Sequence, residues 1–188
     1  MERTSKRFAL TAGSNNSKLF ERSVNLLLVH EDKTYPGDMI ASLSIPWGDE
    51  KSDDELGGYH LVWTRDLVKC VSALLTVGDF STPLRALIYL AVSQREDGGF
   101  CQNFWIDGRP HWQGIQLDEV PFPILLAWRL WKLGALGNVD PYVMVRRACG
   151  FLIREGPVTA QVGGSKRLFA INARGPHCGA DMRGRILY

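Results

Sequence analysis

The sequence predicts an all-α fold, a toroid of concentric helices around a shallow funnel lined by loops, and three observations predict it. Apolar residues recur at helical spacing in five stretches, each about three to four turns long. The connections between them are too long for a simple bundle. Aromatic and charged residues gather just before the second and fourth stretches, so alternate helix mouths face one site. Strand signals are too few and irregular for an α/β sheet.

Ser14 to Asn16 offer caps for a first helix, with Leu19, Phe20, Val24, Leu27 and Leu28 at helical spacing as far as about His30, read as a polar residue near a helix end. Tyr35-Pro36-Gly37 breaks that pattern, and Ala41 to Pro46 reads as a short extended piece ending at Trp47-Gly48. Five of the seven residues from Asp49 to Glu55 are acidic. Without the Asx/Gly spacing of an EF-hand loop, the run reads as solvated rather than as a calcium site. Thr64 is placed to cap a second helix, with Leu67, Val71, Leu74 and Leu75 as its core stripe and Gly78 as its end. Arg65 and Asp66 then lie at the helix mouth. Ser81 or Thr82 caps a third helix, with Pro83 in its opening turn and Leu84, Leu87, Ile88 and Ala91 inward. Phe100 to His111 reads as a loose hairpin turning at Asp107-Gly108. A fourth helix starts near Asp118, takes Pro121 and Pro123 in its first turn, and runs apolar to Gly134, with Trp128 and Trp131 read as core. Asn138 or Asp140, with Pro141, opens a fifth that carries Val145, Ala148, Phe151 and Leu152 as far as Gly156-Pro157.

The 188 residues are 45% apolar, enough for a real core in one domain or in part of a larger one. The net charge of +2 is unevenly spread: residues 162–188 carry five Lys/Arg and one Asp, leaving 17 Lys/Arg against 19 Asp/Glu before them. A slightly acidic body gives no support to a nucleic-acid partner. Cys70, Cys101, Cys149 and Cys178 lack C-x-x-C spacing, which favours buried free thiols over disulfides and argues against a zinc site. The first ten residues contain no apolar signal core, and no run approaches a membrane span. The expectation is a cytoplasmic protein with no metal, no cofactor and no membrane partner.

Two stretches carry the chemistry. Gly57 to Asp66, G-G-Y-H-L-V-W-T-R-D, brings together aromatic rings, a guanidinium and a carboxylate. Rings that stack on a sugar face, beside an Arg-Asp pair that grips hydroxyls, are what a saccharide site needs. Phe104 to Glu119, F-W-I-D-G-R-P-H-W-Q-G-I-Q-L-D-E, answers it, and each stretch precedes an apolar helix.

Together with the following V-P-F-P-I-L-L-A-W-R-L, these motifs resemble the catalytic domain of glycoside hydrolase family 15, the glucoamylase and glucodextranase family, in its prokaryotic branch. The similarity runs over roughly Leu19 to Thr159. It implies a partial (α/α)6 toroid holding about five of twelve helices, with residues 1–17 as a lead-in and 18–159 as the domain. It also implies removal of glucose from non-reducing ends of α-linked oligosaccharides or polysaccharides with inversion. On the matching positions, Tyr59, Trp63, Arg65 and Asp66 would line the pocket for the terminal sugar, with Trp112 and Gln116 as its opposite wall. Trehalose is the alternative substrate that the same pocket would accept.

An inverting glycosidase needs a carboxylic acid for the leaving oxygen and a carboxylate to activate water, about 6.5–9.5 Å apart. In the family the acid resembles the first Glu of a W-E-E motif just after G-P-V-T, and the base lies much farther on. Glu119 is therefore read as supporting the pocket or capping its helix, not as the acid. No catalytic residue is assigned. After Gly156-Pro157-Val158-Thr159 no W-E-E follows, but shifting the frame one base into the Gln161 codon permits R-W-E-E-A-S-G-Y and then an Ala/Leu/Ile-rich amphipathic run. The expectation is that residues 160–188 are an unstructured, out-of-frame tail and that the chain is inactive as written, at most a non-catalytic sugar binder.

Overall fold

The computed structural model describes residues 14–43, 58–114, 116–155, 158–160 and 166–168; for 14–17, 158–160 and 166–168 this is the backbone alone. Within them lie five α-helices: α1 (Ser14–Leu28), α2 (Thr64–Thr76), α3 (Ser81–Ser93), α4 (Pro121–Lys132) and α5 (Tyr142–Glu155). This is the all-α, partial (α/α)6 arrangement read from the sequence. The acidic run of residues 49–55 and Cys178 lie outside the described residues, as do the ends of the expected extended piece and of the tail.

Consecutive helices pack side by side, α1 on α2, α2 on α3, α3 on α4 and α4 on α5, while α2 also meets α4. Their shared core is built from Leu67, Val71 and Leu74 of α2, Ala86, Leu87 and Leu90 of α3, Leu126 and Leu130 of α4, and Ala148 and Phe151 of α5. Each fully buried Leu there contributes about 1.5–3 kcal/mol of transfer free energy.

Two short antiparallel strands tie the loops across the helix mouths. Strand β1 (Val62–Trp63) pairs with β2 (Asn103–Phe104), in the register Val62 to Phe104 and Trp63 to Asn103. The chain at Ile40 to Ser42 adds a third rung through the amides of Ala41 and Ser42, which donate to Leu61 O and Tyr59 O, both at 3.0 Å. Beyond β2 the backbone turns as a hairpin, with Trp105 N donating to Arg109 O at 2.9 Å and Gly108 at a φ of 82° that favours glycine. The turn expected at Asp107-Gly108 is therefore present. A further pair, β3 (Val158–Ala160) with β4 (Lys166–Leu168), lies partly within the stretch read as an unstructured tail.

Several local expectations change. Thr64 does not cap α2: the cap position is Trp63, held extended by β1, and the Thr64 hydroxyl is buried without a partner. The strand has already oriented the first turn. For α3 the capping side chain is Asp79, whose Oδ1 accepts the Ser81 and Thr82 amides and the Ser81 hydroxyl at 3.0–3.2 Å. Ile88 and Ala91 face outward, because α3 is rotated so that Tyr89 and Ser93 meet the hairpin; the Tyr89 hydroxyl donates to Trp105 O at 3.0 Å. A 3-10 turn over Leu117–Glu119 takes the place of the first turn expected for α4, which begins at Pro121. Trp128 and Trp131 are 54% and 63% exposed, so neither is core. Helix α4 is apolar nearly all round, and a pattern with no polar face does not indicate which side turns inward. Cys70, Cys101 and Cys149 are free thiols, with Cys149 exposed rather than buried.

Candidate functional site

The pairing of β1 with β2 sets the site. It places the end of β1, which runs directly into α2, against the loop that leads to the 3-10 turn, and so joins the two aromatic and charged stretches. Arg65, in the first turn of α2, crosses the gap: Nη1 donates to Asp118 Oδ2 at 2.8 Å and Nη2 to Gln116 Oε1 at 3.2 Å. The two side chains of that ion pair are 19% and 12% exposed, so the contact is largely shielded from water. Partial burial makes each charge-assisted bond stronger and more directional than it would be at the surface.

Trp63 and Trp112 meet edge to face, with centroids 6.1 Å apart and ring planes at 87°. Each is anchored from behind. Trp63 Nε1 donates to Gly58 O at 3.0 Å, and the Trp112 amide donates to Asn103 Oδ1 at 2.9 Å while its carbonyl accepts the Gln102 amide. Gly114 allows this crowding: a Cβ there would lie 2.8 Å from Trp112 Nε1 and 3.2 Å from Gln102 Oε1.

Of the six residues singled out in the sequence, Trp63, Arg65, Trp112 and Gln116 thus form two direct pairs across one helix mouth. Asp66 shares the first turn of α2, half-buried and close enough for its charge to act on Glu119. Tyr59 is brought to the rim by its backbone, which accepts from Ser42, and the residue is 48% exposed.

Two residues that the sequence did not mark for the site prove central to it. Asp118, read only as a helix start, is the counter-charge of Arg65. Burial pushes its carboxyl up and the Arg65 guanidinium holds it back. A guanidinium at a helix mouth requires such a partner, and that requirement was the available signal. Asn103, fully buried, positions Trp112. Glu119 is fully buried, with neither oxygen hydrogen-bonded. Burial foremost, then the Asp118 charge, pushes its carboxyl well above the ordinary value, with Arg65 opposing. It caps nothing, so that half of its reading is corrected. Among the described residues no group of three or more His, Cys, Asp or Glu is placed to hold a metal ion.

Comparison with known proteins identifies similar chains. The chain is 42% identical over 174 residues to a glucoamylase of Clostridium sp. (strain G0005), a match covering 89% of this chain and 24% of the relative. Its fold superposes on a crystal structure of a bacterial glucoamylase complexed with acarbose with a TM-score of 0.65 and 43% identity, covering 82% of this chain and 23% of that one. The chain thus spans about a quarter of the length of either. The family model for the glycosyl hydrolases family 15 matches residues 15–159, a span that takes in both halves of the helix-mouth cluster and, except for Ser14, the five described helices. With motifs, fold and relatives in agreement, the chain belongs to the glycosyl hydrolases family 15.

Proposed function

We propose that this chain is the pocket-bearing part of an inverting, exo-acting α-glucosidase of the glucoamylase type, and that it binds a terminal α-linked glucose without hydrolysing it. The observation that carries this reading is Arg65 fixed on Asp118 and Gln116 at the same helix mouth as the Trp63 and Trp112 pair. A sugar presents an apolar C–H face and a rim of hydroxyls. The two tryptophans, already locked at right angles, offer ring surface to the first; Arg65 and Asp66 donate to and accept from the second. Tyr59 closes the rim from the exposed side. The glucoamylase relative and the acarbose complex support a substrate of α-linked glucose units.

Hydrolysis needs more than a pocket. Inversion divides the chemistry between a general acid and a carboxylate that activates water, and the motif expected to supply the acid is absent after Thr159. Buried Glu119, with no exposed surface, has no path to a glycosidic oxygen. A reducing, cytoplasmic setting is part of the same proposal and is supported by the free thiols at Cys70, Cys101 and Cys149.

The test is titration of the purified chain with acarbose and maltose, followed by tryptophan fluorescence, beside an assay for released glucose. Expected are saturable quenching and no glucose. Arg65→Ala should weaken binding by about 1.5–3 kcal/mol, the usual loss when a hydrogen bond to a charged group is removed. Glucose release abolished by Glu119→Gln would refute the assignment of Glu119 and the inertness of the chain together.

A further inference from the structure

Glu119 occupies a position that a charged carboxylate does not tolerate. It ends the 3-10 turn beneath the helix mouth, fully buried, and both carboxyl oxygens lack hydrogen-bond partners. An ionised carboxylate so placed loses its hydration without compensation, and a group in that state takes up a proton instead. The nearby cation is already engaged, since Arg65 directs Nη1 to Asp118 and Nη2 to Gln116.

The charged and titratable groups around Glu119 come from each neighbouring element. From α2 come Arg65 and Asp66, with Lys69 one turn on acting at Asp118. Asp118 adjoins it in the same turn, and the Cys101 thiol faces it from the loop before β2. Two of these neighbours are acidic carboxylates, and the Arg65 guanidinium acts on both Asp118 and Glu119. The balance opposes a further negative charge.

We infer that Glu119 is a positioning residue held as the neutral acid, which leaves Arg65 to Asp118 and Gln116 and so keeps the guanidinium fork where it and Asp66 meet a terminal glucose ring. This rests on the sugar-pocket reading. Loss of the Glu119 proton to solvent would put a full charge beside Arg65 in a shielded environment, where Coulombic attraction is strong. Glu119 would then compete with Asp118 and Gln116 for the fork. Sugar affinity would fall on the alkaline side, although Glu119 itself never touches the sugar.

Glu119→Gln keeps the shape of the neutral acid and cannot ionise. Affinities for acarbose and maltose are measured by tryptophan fluorescence across pH for the wild-type chain, Glu119→Gln and Glu119→Ala, with urea unfolding followed by proteolysis on the same samples. In the wild type, binding should weaken by up to about tenfold per pH unit once Glu119 titrates, the slope of a single released proton. The Gln variant should lose that alkaline decline. The Ala variant should bind weakly throughout, since a cavity lets Arg65 relax. Parallel pH profiles for wild type and Gln, or a Gln variant as weak as Ala at acid pH, would overturn the inference while leaving the pocket standing. No binding by the wild type at any pH would overturn the pocket reading and the positioning role with it. The unfolding arm tests the protonation state separately. A raised folded-state value means stability fully present below the ordinary 4.5 and lost as pH rises through the folded value. The Gln variant should therefore gain resistance over the wild type progressively from the ordinary value up to the folded one, with a constant difference below the ordinary value. A constant difference at all pH would overturn the neutral acid.

Discussion

Asp38 illustrates how much a single carboxyl depends on its surroundings. Its residue is fully buried; Oδ1 accepts the Asp32 amide at 3.0 Å and Oδ2 has no partner. Burial raises its pKa from 3.8 to about 7, helped by the charges of Asp32 and Glu31 and opposed by the Asp32 amide. A carboxyl shifted in that direction favours folding below its unfolded value and opposes it increasingly as pH climbs towards about 7. Asp38→Asn should therefore raise the unfolding free energy above neutrality, by up to ~1.4 kcal/mol for each pH unit between the two values and read as a higher urea midpoint, and leave it unchanged near the unfolded value. Equal midpoints across that range would contradict the assignment. Nothing in Gly37-Asp38-Met39 announces this, because burial of a carboxyl is decided by what packs over it. That Arg65 and Trp63 gather at a helix mouth was legible by contrast, since a cation and rings beside a helix start are a local composition.

At the scale of the element, caps and turns decide where each helix begins and how it is held. Asp79 satisfies the two amides that open α3, and removing its carboxylate leaves them to water. Asp79→Ala should cost about 1 kcal/mol, read as a lower thermal midpoint, whereas Ser81→Ala should cost less because Ser81 donates to Asp79 instead of capping. The turn before β1 is held by a different device. Glu31 accepts two bonds from Arg85 of α3, both at 2.7 Å, and also the Gly37 amide at 3.0 Å, joining the end of α1, the turn and α3. Gly37 has a φ of 102°, and a Cβ there would stand 2.3 Å from Arg85 O. Gly37→Ala should therefore destabilise far beyond ordinary helix-propensity costs of about 1 kcal/mol, both through strain and by pushing the turn off α3. Thermal melts of the three variants side by side would show the ranking.

At the scale of the whole molecule, the decisive feature is the apolar surface that the described helices expose. Leu125, Trp128, Trp131 and Leu133 stand exposed on and just after α4, as do Ile88 and Val92 on α3. Soluble monomers seldom leave contiguous apolar patches beyond a few hundred Å². Purified chain should therefore associate at micromolar concentration, and replacing Trp128 and Trp131 by Gln should reduce light scattering without lowering the unfolding midpoint, because neither ring fills the core. A stability loss of about 3–5 kcal/mol, typical of truncating a core Trp, would show instead that both are packed.

Helix existence, the hairpin turn and the two aromatic and charged mouths were determined by the sequence itself. Their signals are local: a 3.6-residue period, a Gly where φ is positive, rings beside charges. The motifs also determined the family, since they are long and specific. Only the tertiary structure decided which side of α4 turns inward, that a strand rather than Thr64 orients α2, and that Asp118, 53 residues away, holds Arg65. It alone showed Glu119 buried without a partner. The physical reason is the same in each case: burial and ion pairing depend on the sum of everything packed around a group, and residues distant in the chain supply most of that sum.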